Sequence, residues 1–178
     1  MTMDFFKAVE LRHSYRGAYT NDTVPESDII KILDAGIRAP SGCNAQTTSF
    51  IVVTNPELRA KIAEAFPNDM TKTAPVLVMA ITEKVTFDFG FDCEFEDYGA
   101  AVENILLAAT ALGYASCWLD GQIRLDKVGD KLVCEVLAEM LEVPKNKTVR
   151  TILPIGVPAS TGKQAEKKPF DERVEWRR

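Results

Sequence analysis

The stretch YGAAVENILLAATALGYASCWL, residues 98–119, decides the fold of this chain. Its first part, Tyr98 to Leu112, is rich in alanine and apolar around nearly its whole circumference. A helix of that kind is surrounded by other elements, so it is predicted to lie in the middle of the core. Gly113 follows it as a helix C-cap, and Ala115 to Leu119 then predicts a short strand.

Helices and strands alternate on both sides of this central segment. Apolar spacing, turn residues and helix-start residues predict a helix over 4–11, a helix opening at Pro25, a strand over 49–54, a helix opening at Pro56, a strand over 76–81, a helix over 128–141 and a strand over 148–157. The buried stripe expected of the second helix consists of Ile29, Ile30, Ile32, Leu33 and Ile37. In residues 83–97, acids are interspersed with Phe87, Phe89, Phe91 and Phe95, and no regular structure is assigned there.

Length and composition indicate a single domain over residues 1–178. A chain of 178 residues is long enough to bury most of its apolar surface in one core. Apolar residues make up 46% and charged residues 26%, as in an ordinary globular protein. In the tail, residues 159–178, the large apolar side chains are Phe170, Val174 and Trp176. The tail is otherwise polar and charged, so it is expected to be disordered or to lie across another surface.

The charge balance and the N-terminus narrow the classes of function. A net charge of −5 makes the bulk surface repel a phosphate backbone, and no basic stripe interleaved with aromatic residues occurs. Nucleic acid is therefore not an expected partner. Met1 to Phe6 lacks the basic and apolar regions of a secretory signal, and no run of about 18 apolar residues occurs. We therefore expect a cytoplasmic protein that does not enter a membrane.

The cysteines and the single histidine argue against two further classes. Cys43, Cys93, Cys117 and Cys134 are widely spaced, without a Cys-x-x-Cys pair, and are expected to be free thiols. With His13 as the only histidine, neither the ligand spacing of a zinc site nor a catalytic triad is evident. Metal binding and acyl transfer are therefore disfavoured.

The segment from Arg12 to Arg16 concentrates polar chemistry near the N-terminus. It places two guanidiniums, the His13 imidazole and the Ser14 hydroxyl within five residues. Guanidinium groups match the oxygens of a phosphate and a hydroxyl completes such a cage, so the segment suits an anion. A solvated basic turn that closes the first helix also explains the pattern, and the residues alone favour this second interpretation.

Two loops combine small and amide residues. In residues 40–46, PSGCNAQ, glycine lets the backbone approach a planar ligand, while Asn44 and Gln46 offer donors and acceptors to ring heteroatoms. A connection between a helix and a strand explains the same residues. Residues 113–121, GYASCWLDG, either border a ligand or form only a buried strand with a turn at Asp120-Gly121. Neither loop identifies a function by itself.

Taken together, these segments resemble the nitroreductase family. The resemblance rests on five motifs in the same order: Arg-x-Ser-x-Arg at 12–16, Ala-Pro-Ser-Gly-x-Asn-x-Gln at 39–46, an Ala-rich helix running into Leu-Gly-x-x-Ser-x-Trp at 112–118, Pro-x-Gly-x-Pro at 154–158 and Lys-Lys-Pro-Phe-x-Glu-x-Val-x-Trp at 167–176. The motifs span nearly the whole chain. Each is common alone, but the ordered set is specific.

The resemblance implies an α+β fold, a three-layer sandwich whose central, mostly antiparallel mixed sheet is flanked by helices. It also implies a homodimer that binds FMN between its subunits, with a domain-swapped tail anchored on the partner by Phe170, Val174 and Trp176. The cofactor-binding residues it implies are Arg12, His13, Ser14 and Arg16 at the phosphate and ribityl chain, Pro40, Ser41, Asn44 and Gln46 from the partner subunit, Asp120 and Gly121 beside the ring, and Lys167 or Lys168 at the phosphate.

The activity implied by the resemblance is ping-pong transfer of hydride from NADH or NADPH through the flavin to nitroaromatic, quinone or related acceptors. Such chemistry demands no general base, and no catalytic residue is assigned. Two other functions stay open: a specialised flavin reaction, such as reductive dehalogenation or flavin fragmentation, and a flavin-binding protein for storage or sensing without turnover. No Rossmann fingerprint is present, so the preferred nicotinamide is not readable from the sequence.

The sequence departs from the family pattern at the two residues that follow the loop over residues 40–46. Thr47 and Thr48 follow Gln46 where the family often has Pro-Trp, which predicts a less rigid and less apolar loop. Cys43 lies in the loop without an adjacent cysteine, so we expect it to be a bystander.

Residues 83–97 are the only stretch that could cover the substrate, because the chain is shorter than larger family members with inserted helices. Asp92, Glu94 and Glu96 give this stretch an acidic character. We therefore expect a substrate site that disfavours anions.

Overall fold

The computed structural model describes residues 3–88 and 90–178. In chain order its elements are α1 (Phe5–Leu11), α2 (Glu26–Ile37), β1 (Thr48–Val53), α3 (Pro56–Ala65), α4 (Asp69–Thr73), β2 (Val76–Glu83), α5 (Glu94–Ala111), β3 (Ala115–Ser116), α6 (Gly121–Leu125), β4 (Lys127–Val128), β5 (Lys131–Leu132), α7 (Val133–Met140) and β6 (Lys147–Gly156). Short 3-10 turns occupy Gly42–Asn44 and Phe170–Glu172. Of the residues considered above, Met1, Thr2 and Phe89 lie outside the described residues.

A four-stranded sheet with the order β1-β2-β6-β3 forms the centre, and its neighbouring strands all pair antiparallel. The side chains of β2 alternate between the two faces, with Val76, Val78 and Ala80 on one face and Leu77, Met79 and Ile81 on the other. All six are buried because helices cover both faces of the sheet. β4 and β5 form a separate hairpin outside this sheet.

Two hydrophobic clusters, one on each face of the sheet, form the core. On one face, α2 and α5 contribute Ile32 and Ile105. On the other, α3, α6 and α7 contribute Ile62, Ile123 and Leu137. The chain is therefore the three-layer α+β sandwich that was predicted, with the Ala-rich helix as the main element of one outer layer rather than in the middle.

The first part of the tail contacts the rest of its own chain. The side-chain amide of Gln164 donates to the Arg12 carbonyl over 2.8 Å, which ties the tail to the N-terminal segment. Further along, Phe170 and Trp176 leave 62% and 67% of their surface exposed. The first part of the tail thus lies across another surface of the same chain, and its large apolar side chains remain uncovered there.

The central helix begins earlier than predicted, at Glu94 rather than at Tyr98. Its first turn contains Glu94 and Asp97, and both of these acids are buried. Their carboxylates accept hydrogen bonds from Thr82 and Thr47, which are remote in sequence. The prediction was wrong because the pattern of acids and aromatics resembles a solvated loop, whereas these tertiary partners stabilise a helical turn.

The helix predicted over 128–141 is shorter, Val133–Met140. Val128 instead pairs with Lys131 in a hairpin that turns at Gly129, whose φ is 62°. Glycine adopts this left-handed conformation without strain, so the hairpin is favoured locally over an additional helical turn.

Smaller differences concern α4, α6 and α2. The turn at Asp120-Gly121, one of the two interpretations of residues 113–121, does not form, because these residues open α6. Neither α6 nor α4 was predicted, because five residues are too few for a periodic pattern. In α2, Ile30 and Ile37 are 58% and 67% exposed rather than buried. These two isoleucines therefore face away from the core.

Within the described ranges, no helix is both long and apolar enough to cross a membrane. The same residues contain no group of three or more histidine, cysteine, aspartate or glutamate side chains arranged to hold a metal ion. All four cysteines are free thiols, as predicted.

Candidate functional site

The basic segment, residues 12–16, lies against the end of the sheet. Ser14 forms a parallel bridge with Ser116 of β3, and the N–H of Tyr15 donates to the Ser116 carbonyl over 2.9 Å. Tyr15 is buried. Because side chains alternate along an extended segment, burial of Tyr15 turns Ser14 and Arg16 to the opposite side.

A cavity of about 460 Å³, called the basic cavity below, lies over this segment. Its lining residues are Arg12, His13, Ser14, Arg16, Lys163, Gln164, Ala165, Glu166 and Lys167. The structure thus brings four residues of the basic segment together with Lys167 of the tail, whereas Lys168 does not line the cavity. Four cations and one carboxylate surround the space, so it favours an anion.

The two arginines of the basic cavity are held differently. Arg12 Nε lies 3.2 Å from Glu103 Oε1 of α5, and the arginine side chain is only 19% exposed. Arg16 is exposed, its Nη1 donates to the Ser14 carbonyl over 3.4 Å, and no carboxylate in the described part of the chain pairs with it. Arg12 is therefore oriented by the core helix, while Arg16 keeps most of its donors free.

His13 lines the basic cavity but its ring nitrogens face the protein. Nδ1 lies 2.9 Å from the Leu11 carbonyl, so in the neutral ring Nδ1 carries the proton and Nε2 is an acceptor. Nε2 is buried and has no hydrogen-bond partner among the described residues. A Cβ on Gly162 would lie 2.1 Å from Nε2, so the tail backbone packs directly on the imidazole and only glycine fits there.

A second cavity, about 680 Å³, adjoins the basic cavity at Arg16, which lines both. Its other lining residues are Asn68, Asp69, Met70, Trp118, Leu119, Asp120, Gly121 and Gln122. Asp120 and Gly121 were predicted to belong to the site, whereas the segment at Asn68 was not. Asn68 accepts the Thr71 N–H over 2.9 Å and so caps α4, and its Asn-Asp helix start is the signal that could have marked this segment.

A hydrogen-bonded chain stabilises the wall of this second cavity. Trp118 Nε1–H donates to the Tyr98 hydroxyl over 2.6 Å, and that hydroxyl donates to Asp120 Oδ1 over 3.2 Å. Burial raises the pKa of Tyr98 well above its ordinary value, and the charge of Asp120 acts in the same direction, so the hydroxyl stays protonated. Arg124 Nη1 lies 3.1 Å from Asp120 Oδ2. The Asp120 carboxylate is thus held from two sides.

The loop predicted to reach the partner, residues 40–46, has a strained backbone. Cys43, Asn44 and Gln46 have φ values of 51°, 55° and 51°, a left-handed conformation uncommon for residues other than glycine. The Ser41 carbonyl accepts the Asn44 N–H and the Ser41 hydroxyl accepts the Gln46 N–H, each over 3.0 Å. Such strain concentrates at functional sites, where the surroundings hold it in place.

Within the chain, the loop does not meet the basic segment. Pro40, Ser41 and Gln46 line a small pocket with residues of α2 and α5. Among the described residues, this pocket shares no lining residue with the two cavities at Arg16. Asn44 is exposed. The structure therefore brings the predicted site residues together in two separate groups, one at the basic segment and one at the loop.

The thiols near the loop differ in exposure. Cys43 is exposed, whereas the Cys93 sulfur packs against the loop, since a Cβ on Gly42 would lie 2.2 Å from it. Burial raises the pKa of Cys93, and the charges of Asp97 and Glu96 add to this effect. A thiol with a raised pKa is a poor nucleophile, which disfavours a reactive role for Cys93.

One of the acids expected in the cover over residues 83–97 is buried in the structure and does not line a surface. Glu94 is buried, and it accepts hydrogen bonds from the Thr82 hydroxyl and the Arg150 guanidinium. Burial opposes the charge, but the hydrogen bond from Thr82 and the bond and charge of Arg150 outweigh it and lower the pKa of Glu94. Arg150 is the bulged residue in the pairing of β6 with β2, and the bulge directs its side chain to this site. Glu94 therefore belongs to a structural ion pair and does not face a substrate.

Known proteins match this chain over both groups of predicted site residues. A model described as the nitroreductase family matches residues 9–83 and 66–157, which include the basic segment, the loop and Trp118. A protein of Archaeoglobus fulgidus assigned as an NADH dehydrogenase/NAD(P)H nitroreductase is 34% identical over 153 residues, which cover 85% of this chain and 84% of that protein.

Solved structures share the fold over nearly the whole chain. An FMN-dependent nitroreductase from Clostridium difficile R20291 is 26% identical with a TM-score of 0.81, covering 97% of this chain and 99% of that one. A BluB-like flavoprotein from Clostridium difficile 630 is 24% identical with a TM-score of 0.81, covering 99% of this chain and 100% of that one. At the identity of the second structure, the likeness concerns the fold alone.

Proposed function

This chain belongs to the nitroreductase family and is an NAD(P)H oxidoreductase of that family, and from this premise we propose that it uses FMN and works as a homodimer. The observation that carries the proposal is the meeting, at Arg16, of the basic cavity with the larger cavity beside Trp118. FMN has an anionic phosphate at one end and a planar ring at the other, joined by a flexible chain. Two adjoining cavities of this character match both ends.

The basic cavity suits the phosphate end. Arg16 has free guanidinium donors, Arg12 is oriented by Glu103, and Lys167 lines the same space. Guanidinium groups bind phosphate through paired hydrogen bonds, and the Ser14 hydroxyl supplies a further donor. These residues would therefore hold the phosphate and the ribityl chain.

The second cavity suits the ring. Met70 and Trp118 offer apolar surface, while Asn68 and Asp120 offer polar groups at its edge. Apolar surface together with fixed polar groups orients a heteroaromatic ring. Tyr98 holds the Asp120 carboxylate in position, so this wall is preorganised.

The partner subunit is proposed to complete each site with its loop, residues 40–46. The loop presents an exposed Asn44 and lies apart from the basic cavity of its own protomer. Large apolar side chains are also left exposed on α1, α2 and the tail, among them Phe5 (61%), Phe6 (78%), Ile37 (67%), Phe170 (62%) and Trp176 (67%). Exposed apolar surface of this kind marks association sites, so a second copy would cover it.

The chemistry that bound FMN supplies is hydride exchange, with NADH or NADPH and then with a nitroaromatic, quinone or related acceptor, in a ping-pong cycle. The residues of this chain contribute binding and orientation. The basic cavity fixes the anionic end, and the hydrogen-bonded chain of Trp118, Tyr98 and Asp120 fixes the wall beside the ring.

An absorbance spectrum of the purified protein, followed without oxygen while NADH and then NADPH are added, tests the proposal. We expect flavin bands that bleach with at least one nicotinamide and recover when a quinone or nitroaromatic is added. Flavin bands that neither nicotinamide bleaches would favour storage or sensing. A protein that binds no FMN, even when FMN is supplied, would refute the proposal.

A further inference from the structure

A buried carboxylate holds the strained loop and has no part in the two cavities described above. Asp97, in the first turn of α5, is 4% exposed. Its Oδ1 accepts the N–H of Gly42 over 2.7 Å, and its Oδ2 accepts the hydroxyl of Thr47 over 2.8 Å. Gly42 and Thr47 flank the stretch 43–46 on both sides. One carboxylate therefore clamps both ends of that stretch.

The clamped stretch is the one with the unfavourable backbone. Three of its four residues, Cys43, Asn44 and Gln46, have left-handed φ values. Residues in such conformations persist only where their surroundings hold them, and a loop freed at one end would relax. Hydrogen bonds to a buried carboxylate are among the strongest in proteins, so Asp97 is suited to hold the stretch 43–46 in its left-handed conformation.

Thr47 takes part in this clamp although it departs from the family pattern. The sequence predicts a less rigid loop because a proline is replaced, but Thr47 is 5% exposed and its hydroxyl is bonded to Asp97. Proline has no side-chain donor and could not make this bond. The side-chain hydrogen bond of Thr47 is a constraint on this segment that a proline would not supply.

Tyr98, the next residue of α5 and about 100° further round the helix, makes a corresponding link to the cavity wall. Tyr98 accepts the Trp118 N–H and donates to Asp120, both of which line the second cavity. Adjacent residues of one helical turn thus hold the loop and the cavity wall.

We infer that Asp97 is a positioning residue, which fixes the loop for the cofactor of the partner subunit while Tyr98 fixes the cavity wall of its own protomer. A single turn of α5 then aligns two half-sites, one for each of the two FMN molecules of the dimer. The inference rests on the proposed function for the identity of the ligand and for the dimer, whereas the clamp itself does not depend on them.

Two substitutions at Asp97 separate the clamp from a simple effect of charge. Asp97→Ala removes both acceptors and leaves the Gly42 N–H and the Thr47 hydroxyl without partners. Asp97→Asn removes the charge but keeps a carbonyl oxygen that accepts the Gly42 N–H. Its side-chain NH2 can donate to the Thr47 hydroxyl, because a hydroxyl accepts as well as donates, so the bond to Thr47 is kept in the reverse direction. Asp130→Ala, in the exposed turn of the β4–β5 hairpin, is the control for loss of a carboxylate.

Hydrogen exchange of residues 41–48 in the full-length protein freed of FMN gives a readout without cofactor. We expect exchange to be faster by about 10- to 100-fold in Asp97→Ala, and within about threefold of the parent in Asp97→Asn and Asp130→Ala. The dissociation constant of FMN is expected to follow the same order. Unchanged exchange in Asp97→Ala would overturn the inference, and so would an Asp97→Asn variant as impaired as Asp97→Ala, because charge and not the clamp would then matter.

Mixed dimers identify which cofactor the clamped loop serves. One subunit carries Asp97→Asn together with Thr47→Val, which leaves the asparagine amide unpaired, and the other carries Arg12→Ala and Arg16→Ala. If the loop serves the partner, both defects fall in one site and the dimer retains one FMN with parental affinity. If the loop serves its own protomer, each site carries one defect and no FMN binds tightly, which would overturn the inference. An unmutated protein that binds no FMN refutes the proposed function, while hydrogen exchange still tests the clamp.

Discussion

The basic segment and the loop over residues 40–46 form binding surfaces by opposite means. Residues 12–16 carry two guanidiniums and have no positive φ among them, and their backbone is bridged to β3. The loop carries no charge, and three of its residues are held in left-handed backbone conformations. The first region is specified by its side-chain chemistry and the second by its backbone shape.

This difference predicts how each region fails. Charged donors attract an anion over distance and are screened by salt, so damage to the basic segment should depend on ionic strength. A loop that works through shape is insensitive to salt but is disturbed by small changes in packing, because cores and tight loops tolerate little extra volume.

The largest effect is expected from Arg12→Ala combined with Arg16→Ala. Each charge-assisted hydrogen bond contributes about 1.5–3 kcal/mol, so the loss of two is expected to weaken FMN binding by roughly 100-fold or more. The dissociation constant, measured by flavin fluorescence at low and high salt, should also lose most of its salt dependence. Lys127→Ala with Lys145→Ala removes the same charge from exposed positions and serves as the control. Equal losses in both double variants would mean that general charge, not the segment, attracts the ligand.

A smaller effect is expected from Gly42→Ala, which tests the shape of the loop. The added Cβ would lie 2.2 Å from the Cys93 sulfur and 2.6 Å from its Cβ, so the loop must move. Overpacking of this kind costs about 1–3 kcal/mol, and FMN affinity should fall by about tenfold at any salt concentration. Adding Cys93→Gly removes both contacts and should restore binding. Gly99→Ala has room for its Cβ, with Trp118 4.0 Å away, and is the matched control.

Asn44→Ala should have a still smaller effect on the loop. Loss of one neutral hydrogen bond costs about 0.5–1.5 kcal/mol, so FMN affinity is expected to fall by about two- to tenfold, independently of salt. Asn44→Gly keeps the left-handed conformation and removes only the amide. A fully retained affinity in Asn44→Gly would assign the effect of Asn44→Ala to backbone strain and remove the amide from the site.

The smallest expected effect is a dependence of thermal stability on pH that comes from Glu94 and is confined to acid. Its pKa is lowered in the folded chain, so the stabilisation it provides is present above the ordinary glutamate pKa and is lost as pH falls through the lowered value. The difference in Tm between the parent and Glu94→Gln should therefore be constant near neutrality and shrink only in acid. A difference that changes between pH 6 and 8 would contradict this assignment, since those values lie well above the glutamate range.

The parts of the fold that could be predicted are those with local causes. β1 was predicted from a run of β-branched residues over 49–54, and the start of α3 from Asn55-Pro56, where Asn55 caps the helix by accepting the Leu58 N–H. The end of α5 was predicted from Gly113, whose φ is 87°. In each case the conformation depends on residues within one or two turns, so periodicity and cap chemistry suffice.

The candidate site was predicted in part, through the resemblance to the nitroreductase family. The basic segment has the residue types of an anion site, the resemblance added Lys167 or Lys168, and the structure brings the segment and Lys167 to one cavity. Asn68 and Met70 were missed because a short capped turn carries no distinctive chemistry until it is packed beside Trp118. Their assignment to the site follows from the cavity and not from their own sequence pattern.

The sequence by itself determined where most of the longer helices and strands form, which segments carry charge and which family pattern the chain follows, because those depend on neighbours along the chain. The tertiary structure alone decided the roles of the acids in α5. Asp97 bonds to Gly42, 55 residues away, and Glu94 bonds to Arg150, 56 residues away. A carboxylate next to these aromatics resembles a solvated acid in sequence. Only burial, which removes its water and requires hydrogen-bond partners, makes it a fixed structural anchor.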